Sequence, residues 1–502
     1  MAVPERAFSI QAPGIFGLNT QASIDEMDPR FCLNNLNSVQ DNAGRMSSRK
    51  GYVKLTSSAI GGSPSLQTMF EYVSQTGTTQ ILSGANLNIY SGTTTLTSVY
   101  STAITANNWQ AVNFNNFMWF FQRAHAPLRW DGATMVTILS LGGAGTPPQG
   151  NCVHAAFGRL WVGDTSTDKI TVYFSDTLIG QNWTGGTSGT LNLNSVWKNG
   201  MDNIVAISSF QEFLVIFGSK SILIYSGGSV PANLVLQDSI VGIGCVARDS
   251  IQRIGTDIYF LSDTGIRSLQ RTIQTNTMPV ADISKNVRDS VLSYAAQDDL
   301  TLTRSVYHEP EGFYVLNFPV NGISYSFNIR LTLEDGTNPV QIWNQINPKS
   351  MVSSRDRTLY MGHAGFVSKY SGYDDNGSGF DLNYTSPWLG FGEPERQDIL
   401  KKLIFTLVGA NGQAFTAKWF WDFLGTTHSV SRTLSLSASS FAEYNIAQYN
   451  INEYSGGVGV QQVSIPGESA GKLIQIGFLA RVLGSQLSFH KLDAYAKPGR
   501  MI

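Results

Sequence analysis

One recurring phrase constrains the fold of this chain more than any other feature. It consists of an apolar strand, a tight turn rich in Gly, Asn or Asp, and a second strand ending in an aromatic residue near Ser, Asp or Gly. It reads Leu87-Asn88-Ile89-Tyr90-Ser91-Gly92, then Leu128-Arg129-Trp130-Asp131-Gly132, then Ile170-Thr171-Val172-Tyr173-Phe174-Ser175. It returns as Ile222-Leu223-Ile224-Tyr225-Ser226-Gly227 and as Phe366-Val367-Ser368-Lys369-Tyr370-Ser371-Gly372. Weaker copies are Gly265-Ile266-Arg267-Ser268-Leu269 and Gly322-Ile323-Ser324-Tyr325-Ser326. Anchored at positions 90, 130, 173, 225, 269, 325 and 370, the steps are 40, 43, 52, 44, 56 and 45 residues. Apolar runs joined by two to four turn residues are hairpins. A hairpin at this interval, with room for two further strands, has the period of a four-stranded propeller blade. The spacing predicts an all-β fold with a β-propeller of about six or seven blades over residues 61–380.

The segments outside that repeat read differently. Residues 1–60 fit no blade and carry turn signals at Pro13-Gly14, Asn34-Asn35 and Asp41-Asn42-Ala43-Gly44, so they are expected to form an extended N-terminal arm. With few apolar runs the arm cannot bury a core of its own. Arg45 and Arg49 are its candidate assembly or subunit contacts, and removal of residues 1–50 is expected to leave a soluble propeller. After the turn-rich Tyr373–Gly379 stretch come longer strands, Lys402–Val408, Ala414–Trp421, Leu473–Arg481 and Leu487–Ala496, which predict a β-sandwich-like C-terminal domain over 381–502. Within the propeller, Phe213–Phe217 is apolar at both alternations, as expected of a strand buried on both faces. One helix is expected, over Asp282–Leu292, with Ile283, Val287 and Val291 on one face and Asp282 as N-cap.

No spacing of residues points to catalysis, a cofactor or a metal. Cys32, Cys152 and Cys245 are far apart, without a Cys-x-x-Cys. The six histidines are scattered, and neither His-Glu-x-x-His nor Gly-x-Ser-x-Gly occurs. The run Gly142-Gly143-Ala144-Gly145-Thr146 lacks the Gly-Lys-Ser/Thr ending of a phosphate loop. Asp374-x-Asn376-x-Ser378-Gly379 resembles a calcium-loop opening, but Thr385 stands where the bidentate carboxylate belongs. Charged residues are only 14%, against about 25% in ordinary domains. The net charge of −2 excludes a bulk electrostatic pull toward nucleic acid. The first residues lack a signal-peptide core and no window has about 20 apolar residues, so folding in a cytosol without stable membrane insertion is expected. Tyr444, Tyr449 and Tyr454 recur every five residues, a period of neither helix nor strand, and suggest aromatic anchors of a loop or an intersubunit contact.

Together these pieces resemble the tail nozzle proteins of short-tailed bacteriophages, also called packaged-DNA stabilisation proteins. The likeness rests on Pro13-Gly14, Leu33-Asn34-Asn35-Leu36 and Gly44-Arg45-x-x-x-Arg49-Lys50-Gly51 near the start. Phe174-Ser175-Asp176 followed by Trp183, the Phe213–Phe217 strand with Ser221-Ile222-Leu223-Ile224-Tyr225, and Lys401-Lys402 add to it. The resemblance implies a homohexameric ring in the virion tail, assembled in the cytoplasm of the host bacterium below the portal-adaptor ring. It further implies contacts with other tail proteins such as fibres or a needle, and a channel that holds and releases viral DNA without reading its sequence. The family supplies no catalytic motif. The alternative is a carbohydrate-binding or glycan-hydrolysing propeller using acidic residues such as Asp131, Asp164 or Asp263, which would have to pair about 5–10 Å apart.

Overall fold

The computed structural model describes residues 6–23, 27–198, 200–270, 282–392, 396–409, 412–423, 427–434 and 459–501. Seven antiparallel meanders surround a common axis among these residues, six of four strands and one of three. Blades 1 to 4 run in order from Thr68–Val73 to Thr97–Tyr100, Gln110–Phe114 to Met135–Thr137, Gly150–Ala156 to Gly189–Asn192, and Ile204–Phe210 to Val235–Val241. Blade 5 has the three strands Gln252–Ile254, Asp257–Ser262 and Gly265–Ser268, and blade 6 spans Arg304–His308 to Val340–Trp343. Blade 7 takes Ser350–Ser353, Leu359–Gly362 and Val367–Tyr370 from its own stretch. Its fourth strand is Tyr52–Lys54 of the arm, in register Ser368↔Lys54 and Tyr370↔Tyr52.

Local sequence accounts for the hairpins. Gln110–Phe114 and Phe117–Phe121 are joined by Asn115-Asn116 alone, both at positive φ (48° and 66°). That is the two-residue turn whose twist matches paired strands, and Asn tolerates it. The anchor residue of each repeated phrase, aromatic in all but Leu269, falls in the third strand of its blade, or for Leu269 one residue past it. Burial follows from the radial arrangement. Phe213–Gly218, the second strand of blade 4, sends Leu214 and Ile216 into a cluster with Trp161 and Val172 of blade 3. Its Val215 and Phe217 pack with Ile258 and Phe260 of blade 5, the two Phe rings lying 5.1 Å apart. The expected burial on both faces holds for these four residues, and Phe213 is half-buried.

The C-terminal domain is a pair of packed sheets. In one, Arg396–Gly409 lies between Leu487–Met501 and Val460–Pro466. The other has the order Phe380–Gly390, Leu473–Val482, Ala414–Trp421, His428–Thr433. Phe405, Phe415, Trp419, Ile476, Phe478 and Phe489 fill the space between them.

The arm is less separate than its sequence suggests. Arg6–Gln11 pairs with Leu487–Met501, and Ser38–Gln40 with Met46–Ser48 extends the same sheet. Asn34–Leu36 pairs in parallel with Val340–Trp343 of blade 6 and antiparallel with Phe380–Gly390. One nine-stranded sheet therefore runs from the propeller into the sandwich.

The helix differs in its limits from expectation. A 3-10 turn at Lys285–Val287 precedes an α-helix at Arg288–Gln297, so the helix starts later and ends later. Asp282 does not cap it; its Oδ1 accepts from Ser284 N at 2.8 Å and its Oδ2 from Arg288 Nε at 2.5 Å. The Ile283, Val287, Val291 stripe is buried against blades 5 and 6 as expected.

Candidate functional site

The innermost strand of each blade lines an axial cavity of about 390 Å³. Phe70, Val112, His154, Ser208, Arg253, Ser305 and Met351 are among its wall residues, one from each of the seven blades. Two guanidinium groups cross the axis at one end. Arg248, just before blade 5, donates to Asn151 Oδ1 at 2.8 Å in blade 3 and to Asn108 Oδ1 at 2.7 Å before blade 2. Arg304 of blade 6 reaches the same Asn108 oxygen at 3.1 Å and the Gln67 carbonyl at 2.9 Å before blade 1. Asp249 lies between them, 2.7 Å from Arg248 and 3.1 Å from Arg304. Burial raises the Asp249 carboxyl, and the two guanidinium charges outweigh it, so its pKa is lowered. The cluster ties blades 5 and 6 to blades 1, 2 and 3 across the axis. The sequence carries no spacing signal for it, because Asn151 and Asn108 lie 97 and 140 residues from Arg248, Asn108 lies 196 from Arg304, and they converge only on closure of the ring.

On the wall, His154 Nε2 is 3.0 Å from Ser209 Oγ. Burial, with help from the Arg253 charge, pushes this imidazole down to about 4, so it is neutral at pH 7. A hydroxyl beside an imidazole is two-thirds of a hydrolytic triad, but no carboxylate orients the other ring nitrogen among the described contacts. Ser209 also alternates with Ser208, the residue that faces the cavity.

The three aspartates of the glycan reading do not come together. Asp131 closes the turn after the third strand of blade 2, accepting from Thr134 N at 2.7 Å. Asp164, next to last in the second strand of blade 3, and Asp263, in the turn after the second strand of blade 5, lie at the opposite end of the blades. Asp164 is bonded to Arg123 and, at 2.9 Å, to Asn151 Nδ2. Asp263 accepts from Lys220 Nζ at 2.6 Å. Asp374 Oδ1 accepts from Gly377 N at 2.5 Å, making the would-be calcium loop a side-chain-stabilised turn. Among the described residues no group of three His, Cys, Asp or Glu could hold a metal, and no helix is long and apolar enough to cross a membrane. All three cysteines are buried and free.

The arm residues singled out from the sequence sit at the junction of arm, propeller and sandwich. Arg45 is buried, its Nε 3.0 Å from Asp41 Oδ2. Arg49 is fully buried and makes a two-pronged pair with Asp375, at 2.8 and 2.7 Å. Its Nε donates to Asn37 Oδ1 at 3.1 Å, and its guanidinium lies 4.0 Å over the Phe380 ring. A Cβ at Gly51 would stand 1.7 Å from the Asp374 carbonyl oxygen, so only glycine lets the arm approach this closely. Arg49 and Gly51 of the motif thus clamp the arm to residues 374–375, whereas Arg45 is fastened within the arm, to Asp41. Tyr444, Tyr449 and Tyr454 lie outside the described residues.

No family model and no curated protein matches this chain. Among solved structures it is similar to the extracellular domain of a hybrid two component system from Bacteroides thetaiotaomicron, at 12% identity and TM-score 0.44, over 73% of this chain and 45% of that one. It is also similar to the WD40 beta propeller domain of Doa1, at 11% identity and TM-score 0.38, over 64% of this chain and 96% of that one. A third likeness is to the Neurospora crassa Pan2 WD40 domain, at 10% identity and TM-score 0.35, over 69% and 96%. The chain spans less than half the length of the first of these proteins.

Proposed function

We propose that this chain is a structural subunit of the tail nozzle of a short-tailed bacteriophage. Six copies form a ring below the portal-adaptor, retain the packaged genome, and open as the channel for its ejection. The observation that carries the reading furthest is the nine-stranded sheet that fuses blade 6 to the sandwich through Asn34–Leu36. A part that contains a pressurised genome needs domains that do not swivel, and a shared sheet removes the swivel. The axial cluster of Arg248, Asp249 and Arg304 adds a second argument. With its own axis obstructed, a propeller of this kind passes DNA only between copies, as head-to-tail ring contacts allow. A net charge of −2 suits a wall along which phosphates slide, because neutralising them would grip the duplex. In this reading the protein performs no catalysis and holds no cofactor.

Mass photometry of the purified chain, alone and with its adaptor ring, tests the proposal. Particles of roughly 330 kDa, six chains of 54.7 kDa, are expected, with sixfold symmetry in class averages. A protein that stays monomeric under both conditions and retains or cleaves glycans on an array would replace this reading with the carbohydrate-binding one.

A further inference from the structure

We propose that the cleft between the arm and the turns of blades 6 and 7 is a docking site for an acidic peptide segment of a partner protein. The cleft has a volume of about 490 Å³ and is walled by arm residues 39–42, 47, 48 and 50, the turn at Pro310-Glu311, the turn at Arg357–Leu359 and Gln486 of the sandwich. Four cations line it, Lys50, Arg330, Arg357 and Lys369, with two carboxylates, Asp41 and Glu311.

Both carboxylates are already engaged inside the chain. Asp41 Oδ2 holds Arg45 Nε at 3.0 Å, and Glu311 Oε1 holds Lys50 Nζ at 2.8 Å. Arg330 donates only to neutral acceptors, Asn42 Oδ1 at 2.9 Å and the Pro310 carbonyl at 2.6 Å. Arg357 and Lys369 are exposed and have no carboxylate partner among the described residues. Three positive charges therefore face a concave polar site without an anion, in a chain whose total charge is negative. Such a recess focuses positive potential and attracts anions.

The distribution of the cations selects the kind of anion. They come from three separate elements: the stretch after Ile323–Asn328, the turn between the first two strands of blade 7, and its third strand Val367–Tyr370. Neutral hydrogen-bonding groups share the same walls, those of the exposed Asn42 and of the half-buried Gln486, whose amide also donates to Ser47 Oγ at 2.7 Å. Spread cations with neutral partners between them match successive carboxylates and amides of an extended acidic chain. A single phosphate is held instead by convergent donors. The inference does not rest on the nozzle reading, and a chain that never forms rings would still present this cleft.

The test is fluorescence anisotropy with a labelled octapeptide of alternating Glu and Ser, at low and moderate salt. Binding that weakens at least about tenfold in an Arg357→Gln, Lys369→Gln double variant is expected, with no change in Lys198→Gln, an exposed cation elsewhere. Reversal to Arg357→Glu, Lys369→Glu should transfer preference to a Lys/Ser octapeptide, a gain that unfolding cannot mimic. Equal peptide binding by wild type and the double variant overturns the proposal. So does displacement by millimolar inorganic phosphate, or a 12-base-pair duplex binding tighter than the peptide at moderate salt.

Discussion

Blade 4 and blade 7 reach the same architecture by opposite routes. Blade 4 draws all its strands from residues 204–241, each paired with its neighbour in sequence. Blade 7 draws three strands from 350–370 and its fourth from Tyr52–Lys54, about 300 residues earlier. Blade 4 is held by apolar packing on both faces. Blade 7 depends as well on polar fastenings at its outer strand: the Arg49–Asp375 pair, the Lys50 N–H donated to Tyr370 Oη at 3.0 Å, and Tyr52 stacked 4.6 Å from His363. The difference teaches that a ring's interior is secured by hydrophobic burial and its closure by specific contacts.

The strongest way to break the comparison is to delete residues 1–54. For the shorter deletion of residues 1–50 the sequence predicts a soluble propeller. The structure changes the expected outcome, because the arm supplies the blade 7 edge, the strand joining blade 6 to the sandwich, and core residues Ile10, Cys32 and Met46. We expect the truncated chain in the insoluble fraction, or without a cooperative melt, checked by solubility and calorimetry. A monodisperse truncated protein melting near the parent would mean that the arm is an accessory.

Single substitutions come next. Phe217→Ala should cost about 3–5 kcal/mol in denaturant melts, as a large-to-small change in a filled core. Arg49→Ala should cost a similar amount, about 3–5 kcal/mol, by leaving Asp375 without its partner. The two should differ in pattern. Hydrogen exchange in Arg49→Ala is expected to rise first at Tyr52–Lys54, whereas in Phe217→Ala it should rise over blades 3 to 5. Identical exchange maps would erase the distinction between burial and fastening.

Acid should sharpen it further. Burial, aided by Lys349, pushes His363 down to about 4, and burial with Lys50 does the same to His308. A base with a lowered folded pKa binds fewer protons folded than unfolded, so stability is present at neutral pH and falls as pH drops from about 6.5 toward 4. Blade 4 has no histidine of its own and is reached by His154 of blade 3 at Ser209 Oγ, whereas blade 7 carries His363 and is also reached by His308 of blade 6 at Ser353 Oγ. Acidification to pH 5 should therefore lower the melting temperature and loosen blade 7 before blade 4. Proteolytic fragments showing the reverse order would contradict this. The smallest effect is expected at the exposed Arg481–Asp381 pair on the sandwich, 2.9 Å long, where Arg481→Ala should change stability by less than about 1 kcal/mol.

What was legible in the sequence is what folds locally. Tyr90, Trp130, Tyr173, Tyr225, Tyr325 and Tyr370 mark third strands because a hairpin repeats its turn chemistry and apolar run within a few residues. The helix stripe of Ile283, Val287 and Val291 was visible for the same reason, but its start was not, since Asp282 is bonded to Arg288 instead of capping the helix. Tyr52-Val53-Lys54 is too short to carry a period, and its partner is remote. Nothing near Arg248 or Arg304 in the chain announces that they meet at the axis. Arg45 and Arg49 stand out in the sequence because charge is scarce here; their pairing with Asp41 and Asp375 is visible only in the fold.

The pairing of Arg6–Gln11 with Leu487–Met501 also has a consequence in time. On the ribosome Arg6–Gln11 emerges about 480 residues before its partner strand, Leu487–Met501. At about 5–20 residues per second, some tens of seconds of synthesis separate them. Throughout that interval Arg6–Gln11 waits unpaired, and the sandwich lacks a central strand. A polypeptide that stalls before residue 487 can build most of its blades but cannot seat Arg6–Gln11. Seating Arg6–Gln11 therefore distinguishes a chain extended through its partner strand from one interrupted before residue 487.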